Sequence, residues 1–336
     1  MIEVEQLTKF YGPSPAIADL NFKVETGEIL GFLGPNGAGK TTTMRILAGY
    51  LPASLGTARV AGHDVHTNPM AVRQSIGYLP ESPPLYTEMT VQSFLHFVAA
   101  LKGVPAGDRV DRVDAAMSRC GLSDRRRTLI RKLSKGYRQR VGIAQAIVHD
   151  PPVIILDEPT VGLDPRQILE VRQLIKSLAG QHTVILSTHI LPEVSATCDR
   201  ITIINQGKVV ATNSPESLQA QVSAGSLSYD LEVEGESEAI LRTLRRLPVV
   251  KSVTLGDSTG LADGHHRIQV TAQDSTDIGQ TLAATVVGES FGLYELHRNR
   301  ATLEDVFLKL TMTDQSLPAE DAEATDTPIE PLETPA

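Results

Sequence analysis

Hydrophobic positions in the first two thirds of the chain fall in short unbroken runs. "EILGFL" (28–33), "SIGYLP" (75–80), "PVIILD" (152–157), "TVILST" (183–188) and "RITIINQGKVV" (200–210) are rich in β-branched and aliphatic residues, and apolar runs of this length between turn residues read as strands. The stretches between them read as helices. That alternation predicts an α/β domain with a largely parallel sheet. Some 70 residues between "SIGYLP" and "PVIILD" carry no convincing strand. "TVQSFLHFVAALKG", "DRVDAAMSRCG" and "SKGYRQRVGIAQAIVHD" have helical spacing instead, so a helical subdomain is expected at about 82–150.

The rhythm changes after "SPESLQAQ". Strand "LSYDLEVE", helix "SEAILRTLRRL", strands "VVKSVTL" and "HRIQVTA", helix "TDIGQTLAATVVG" and strand "GLYELHR" follow in turn. This β-α-β-β-α-β order belongs to a ferredoxin-like or related small α+β module, and a last helix, "TLEDVFLKLT", is expected to close it. The expected domains are 1–215, then 216–312, then a tail at 313–336 too poor in large apolar residues to order itself.

Charge sharpens this division. The formal net charge of −9 is concentrated in the last 24 residues, which hold seven acids and no Lys or Arg. The body is left near −2, without the basic surface that a nucleic-acid partner requires. The cluster "DRRRTLIRK" (124–132) reads as a solvated helix face. Cys120 and Cys198 stand far apart without metal-ligand spacing and read as small core residues. No apolar run approaches the roughly 18 residues of a membrane span, and "MIEVEQLTKF" has no secretory pattern, so a cytoplasmic protein is expected.

The chemistry lies at the strand ends. Gly34-Pro35-Asn36-Gly37-Ala38-Gly39-Lys40-Thr41 fits GxxxxGK[ST] between a strand and the helix "TTTMRILAGY", the context in which that loop cradles phosphates. Its backbone N–H groups and the helix N-terminus, followed by Thr42, favour anionic oxygens. Lys40 is expected on the β- and γ-phosphates, and the Thr41 hydroxyl on Mg²⁺. At the end of "VIILDEP", Asp157 is expected to hold Mg²⁺ through its water shell, and Glu158 to polarise the attacking water. His189 ends "TVILSTH", at the carboxyl end of a strand where ligands of open α/β sheets bind, and can hydrogen-bond the γ-phosphate.

The phosphate loop, "LSKGYRQR" some 90 residues later, "VIILDEPTVGLDP" and "LSTH" follow the motif order of ATP-binding-cassette (ABC) ATPases, and the chain resembles that family over residues 1 to about 215. The resemblance makes Leu133-Ser134-Lys135-Gly136-Tyr137 the signature segment, Gly162-Leu163-Asp164 the D-loop, His189 the switch histidine and Tyr11 the aromatic that stacks on adenine. It implies that Ser134 and Gly136 meet ATP held by a second subunit, so the chain is expected to form a homodimer or to pair with another ATPase subunit.

Glu81 stands where the family usually has Gln, and Lys135 and Tyr137 where Gly and Gln are commoner. Glu81 keeps the capacity to ligate Mg²⁺. Together with "IGYLPESPPLYTEMTV", the C-terminal module resembles the ATPase subunits of bacterial two-component exporters. That implies a separate integral-membrane permease and a place on the inner face of the cell membrane. The alternative is an ABC ATPase with a soluble mechanical or regulatory role, although the chain shows none of the paired cassettes, coiled-coil insertions or basic arms such proteins carry. A GTPase would need an N-K-x-D segment, and none is present.

Overall fold

The computed structural model describes residues 1–223, 227–274, 276–299 and 302–312, and the acidic tail expected at 313–336 lies outside them. A six-stranded sheet contains β3 (Ile29–Leu33), β6 (Ile76–Leu79), β7 (Val153–Asp157), β8 (Thr183–Thr188), β9 (Arg200–Asn205) and β10 (Lys208–Asn213). The order is β10-β9-β3-β8-β7-β6, parallel except for β10. Ile29 and Leu33 of β3 enter one hydrophobic cluster, while Leu30 and Phe32 enter another on the opposite face. In β7, Ile154 and Leu156 likewise oppose Val153 and Ile155. A strand covered on both faces has no polar side, which is why its sequence is an unbroken apolar run.

Residues 200–210, one run in the sequence, form a hairpin. Gln206 and Gly207 have φ of 46° and 77°, and two consecutive positive φ values make the tight turn that joins antiparallel strands. A second, antiparallel sheet is a feature that the apolar runs do not announce. It comprises β1 (Ile2–Tyr11), β2 (Ser14–Val24), β4 (Leu55–Val60) and β5 (His63–Asp64) in the order β2-β1-β4-β5. Helix α1 (Lys40–Leu47) packs between the two sheets, and Met44, Ile46 and Leu47 are buried there.

On the other side lie α3 (Val91–Leu101), α4 (Arg109–Arg119), α5 (Lys135–Ile147), α6 (Pro165–Leu178) and α7 (Leu191–Thr197), with α2 (Pro69–Ser75) leading into β6. Thr90 caps α3 and Ser134 caps α5, each accepting from a backbone N–H three residues on, as N-cap hydroxyls do. Residues 124–132 are not a helix face but two short 3₁₀ turns around buried Ile130. The segment is solvated as expected, with Arg125, Arg127, Arg131 and Lys132 exposed, while Arg126 pairs with Asp114 at 2.8 Å and Arg125 lies over the Tyr137 ring at 5.3 Å.

After α8 (Pro215–Ser223) comes a third sheet, β12 (Val250–Leu255), β13 (His265–Ala272), β11 (Ser228–Glu234) and β14 (Gly292–Asn299), antiparallel in that order. Helices α9 (Ser237–Arg245) and α10 (Gly279–Gly288) share one core with its inner face, built on Tyr229, Leu231, Val233, Ile240, Leu282 and Val270. The last helix, α11 (Leu303–Met312), does not close this module. Leu303 and Val306 join the core of the first domain beside Leu218, Val194 and Cys198, and α11 packs on α8 and α7. Its apolar face finds a deeper site there than the small module offers.

Two basic groups converge where β6 begins. Lys102 Nζ donates to the Arg73 and Ile76 carbonyls at 2.7 and 2.9 Å, and His149 Nε2 lies 3.2 Å from the same Ile76 oxygen. Burial, reinforced by the Lys102 charge, pushes the His149 pKa down to about 4. A folded-state value below the unfolded one of about 6.5 means that His149 leaves stability intact above that value. Stability is lost as pH falls towards 4, when the unfolded chain binds a proton that the folded chain refuses, by about 3 kcal/mol in all. Denaturant unfolding between pH 7 and 4 should show this slope, and His149→Gln should flatten it. An equal slope in the variant would assign the acid sensitivity elsewhere.

Candidate nucleotide-binding site

Parallel register aligns the strand ends that carry the chemistry. Leu33 of β3 lies opposite Thr188 of β8, and Asp157 of β7 opposite Ser187. The loops that follow therefore open on one edge of the sheet, where the switch from strand to helix leaves room for ligands. There they enclose a cavity of about 460 Å³ lined by Ala16, Asn36, Gly37, Gly39, Lys40, Thr41, Thr42, Glu81, Glu158, Val161 and His189.

The phosphate loop is wedged into place. Gly34 faces the Ile204 carbonyl and Gly39, at φ 101°, faces Ile17 and the Ala16 carbonyl, so a side chain at either would collide with backbone. The Ala38 N–H donates to the Pro35 carbonyl at 3.2 Å, closing the loop on itself, and α1 begins at Lys40. No acid occupies the first turn of α1 to offset its positive end.

Lys40 is buried, and its ammonium donates to the carbonyls of Gly34 at 2.8 Å and Pro35 at 3.2 Å. It also lies 3.5 Å from Glu158 Oε1. That same Oε1 is 2.9 Å from His189 Nδ1. One buried carboxylate thus faces a lysine from the loop after β3 and a histidine from the end of β8. Glu158 is held there by an unusual backbone: its φ is 51°, and its N–H donates to the Ser187 carbonyl at 2.9 Å. A left-handed conformation at a non-glycine residue costs of order 1 kcal/mol or more. Here it turns the side chain back over the strand end.

Asp157 is fully buried behind this group. Its Oδ1 accepts from Ser187 Oγ at 2.8 Å, while Oδ2 has no partner among the described residues. Burial pushes its carboxyl above the usual carboxylate range, opposed by the hydroxyl bond from Ser187. A buried carboxylate with a spare oxygen beside a threonine hydroxyl is a donor set suited to a hard cation.

The remaining candidates stand elsewhere. Tyr11, 53% exposed at the end of β1, does not line the cavity, and Lys9 lies over its ring at 5.7 Å. Ser134, Gly136 and Asp164 do not line it either. Ser134 caps α5, Asp164 caps α6 by accepting from Gln167 N–H at 2.9 Å, and the Gln167 side chain covers Gly136. Gly136 and Asp164 line a separate opening with Tyr137, Arg140 and Gln167.

Sequence reasoning missed Ala16, Val161 and Ser187. The first two carry no chemical signal, whereas Ser187 is a polar interruption near the end of an apolar strand and was legible as such.

This geometry can be set beside known proteins. The family described as ABC transporter matches residues 17–161. The linearmycin resistance ATP-binding protein LnrL of Bacillus subtilis (strain 168) is 32% identical over 313 residues, covering 93% of this chain and 98% of that one. The chain belongs to the ABC transporter ATP-binding proteins. Among solved structures, the ATP-binding subunit of an ABC transporter matches with a TM-score of 0.61 at 30% identity, over 66% of this chain and 93% of that one. The dimeric structure of MJ0796, a bacterial ABC transporter cassette, matches at 0.58 and 25% identity, over 64% and 98%. As a member of the ABC family the chain binds ATP and is an ATPase coupled to transport. No helix among the described residues is long and apolar enough to cross a membrane.

Proposed function

We propose that this chain powers an exporter whose substrate path lies in a separate membrane permease, and that it hydrolyses ATP only as one half of a dimer. The observation that carries the dimer is the division of the motifs. Lys40, Thr41, Glu158 and His189 line one cavity, while Ser134 and Gly136 lie outside it. Among the described residues, the capped start of α5 does not reach the cavity of its own chain. A second copy related by twofold symmetry would bring that helix start onto the triphosphate, and the same contact would form twice. Asp164, beside the opening that includes Gly136, would then lie at the contact between copies.

Within each site, Lys40 exchanges its loop carbonyls and Glu158 for the β- and γ-phosphates. The N–H groups of Asn36, Gly37, Gly39 and Thr42 surround the phosphate oxygens, while the Ala38 N–H holds the loop closed on the Pro35 carbonyl. Tyr11 stacks on adenine. Thr41, Asp157 and Glu81 would hold Mg²⁺, which supplies charge neutralisation of the phosphates when bound. The unpartnered Oδ2 of Asp157 fits that use. Glu158 orients the attacking water, and His189 fixes Glu158 and meets the γ-phosphate. Such catalysis consists of positioning and charge stabilisation.

The exporter reading rests on the relative LnrL, named for linearmycin resistance, and on an exposed aromatic patch. Tyr86, Phe97 and Leu101 are 55, 41 and 74% exposed, and the Tyr86 and Phe97 rings lie 5.4 Å apart. The patch adjoins the segment carrying Glu81 and suits the cytoplasmic surface of a permease, which would hold the chain at the inner face of the membrane.

Light scattering on the chain carrying Glu158→Gln tests the dimer. With ATP and Mg²⁺ the mass should double, and Ser134→Arg should keep it single. A monomer under the first condition, even with the permease co-purified, would overturn the reading.

A further inference from the structure

Glu81 lines two cavities. Besides the nucleotide cavity it borders a neighbouring one of about 370 Å³, whose lining includes Lys135, Arg138, Gln139 and Val161. Val161 is likewise shared, so the two spaces meet where Glu81 and the segment after Glu158 come together. One carboxylate thus stands between a cation site on one side and two basic side chains on the other. Lys135 is further fixed by its surroundings. It is the first residue of α5, and its ammonium lies against Gly162, where any side chain begun at Gly162 would run into it. Gly162 lies within the pair of turns that follow Glu158, closed by Val161 N–H to the Glu158 carbonyl at 3.4 Å and Leu163 N–H to the Thr160 carbonyl at 3.1 Å.

The two charged departures from the usual family pattern, a carboxylate at 81 and an ammonium at 135, therefore border one space with opposite signs. Either alone would carry a cost, since a spare carboxylate near a triphosphate repels it and a lysine at the start of a helix opposes its positive end. They border the same space, with the Lys135 ammonium turned to Gly162 rather than within ion-pair distance of Glu81, so their attraction acts across that space. We propose that Lys135 competes with the divalent cation for Glu81, so that the pair forms a charge latch between the metal end of the nucleotide cavity and the start of α5. In the latched state the carboxylate faces Lys135 and Arg138. When the cation takes Glu81, Lys135 is released and α5, with Ser134 at its cap, is free to shift. Lys135 is thus a positioning residue that makes readiness of the helix start depend on metal. The inference rests on the reading of Glu81 as a metal ligand.

The test is a double-mutant cycle read by binding rather than turnover. ATP binding is followed by calorimetry at stepped Mg²⁺ concentrations, in chains carrying Glu158→Gln so that nucleotide persists. Lys135→Met should lower the Mg²⁺ concentration for half-maximal affinity by roughly two- to fivefold, the scale of one partly exposed charge pair. Glu81→Gln should raise it, and in the Glu81→Gln chain the effect of Lys135→Met should vanish. A Glu81→Gln chain with unchanged Mg²⁺ demand would remove the metal role of Glu81 and the latch with it. A raised demand with an equal Lys135→Met effect in both backgrounds, or none in either, would overturn the latch and leave the metal role standing.

Discussion

Glu158→Gln should lower ATP turnover by roughly 10²- to 10⁴-fold, the usual contribution of a positioned acid–base group, while leaving ATP binding intact or tighter. Both halves follow from the same geometry. The carboxylate is buried, its Oε1 faces Lys40 at 3.5 Å and His189 at 2.9 Å, and its Oε2 has no partner among the described residues. Oε2 is the oxygen that no described protein group occupies, and in the proposed mechanism it is the one that orients the water. Gln keeps the shape and one acceptor oxygen but removes the negative charge that polarises the water. That charge also opposes a triphosphate in the same cavity and faces the Lys40 ammonium at 3.5 Å. Removing it releases Lys40 towards phosphate, so affinity should not fall. Single-turnover hydrolysis alongside equilibrium nucleotide binding separates the two effects. Turnover within roughly threefold of the wild type would strip Glu158 of its role and shift attention to His189.

The consequence for dimer lifetime is direct. If hydrolysis reopens the closed pair, a chain that binds but does not hydrolyse accumulates in the closed state, a population shift driven by ligand affinity alone. The Glu158→Gln chain is therefore the right background for both the light-scattering and the Mg²⁺ experiments.

What the sequence made legible and what it hid follow from locality. The central sheet was readable because its strands are covered on both faces and show as unbroken apolar runs. The loop at 34–41 was readable because its glycines and Lys40 sit between a strand and a helix in one short stretch. The antiparallel sheet was hidden by irregularity. β1 and β2 shift register between Val4 and Leu7, where Gln6 adopts φ 50° and pairs with the Asn21 side chain. A bulge slips the inside–outside alternation by one residue, so Ile2, Val4 and Leu7 do not share a period of two. The placement of α11 was hidden for a different reason. Its spacing marks a helix, but nothing local says whether Leu303 and Val306 bury in the nearer module or in the earlier domain. Ala16 and Val161 line the cavity only because distant elements deliver them there.

Lys40→Ala should weaken ATP binding by about 10- to 150-fold, the range corresponding to a charge-assisted hydrogen bond of about 1.5–3 kcal/mol. The loss has two sources that can be pulled apart. The first is the missing contact with phosphate. The second is Glu158, which loses the ammonium at 3.5 Å and stands as a buried negative charge stripped of that cation, in the cavity the triphosphate must enter. A buried charge stripped of its partner is costly by itself. The double variant Lys40→Ala with Glu158→Gln removes that second source. It should bind ATP more tightly than Lys40→Ala alone, with a coupling of about 0.5–3 kcal/mol between the two positions. Calorimetric titration of the four chains measures it. Simple additivity would mean that the ion pair does not bear on nucleotide binding. Normal ATP binding by Lys40→Ala itself would remove the lysine from the phosphates and, with it, the assignment of the cavity.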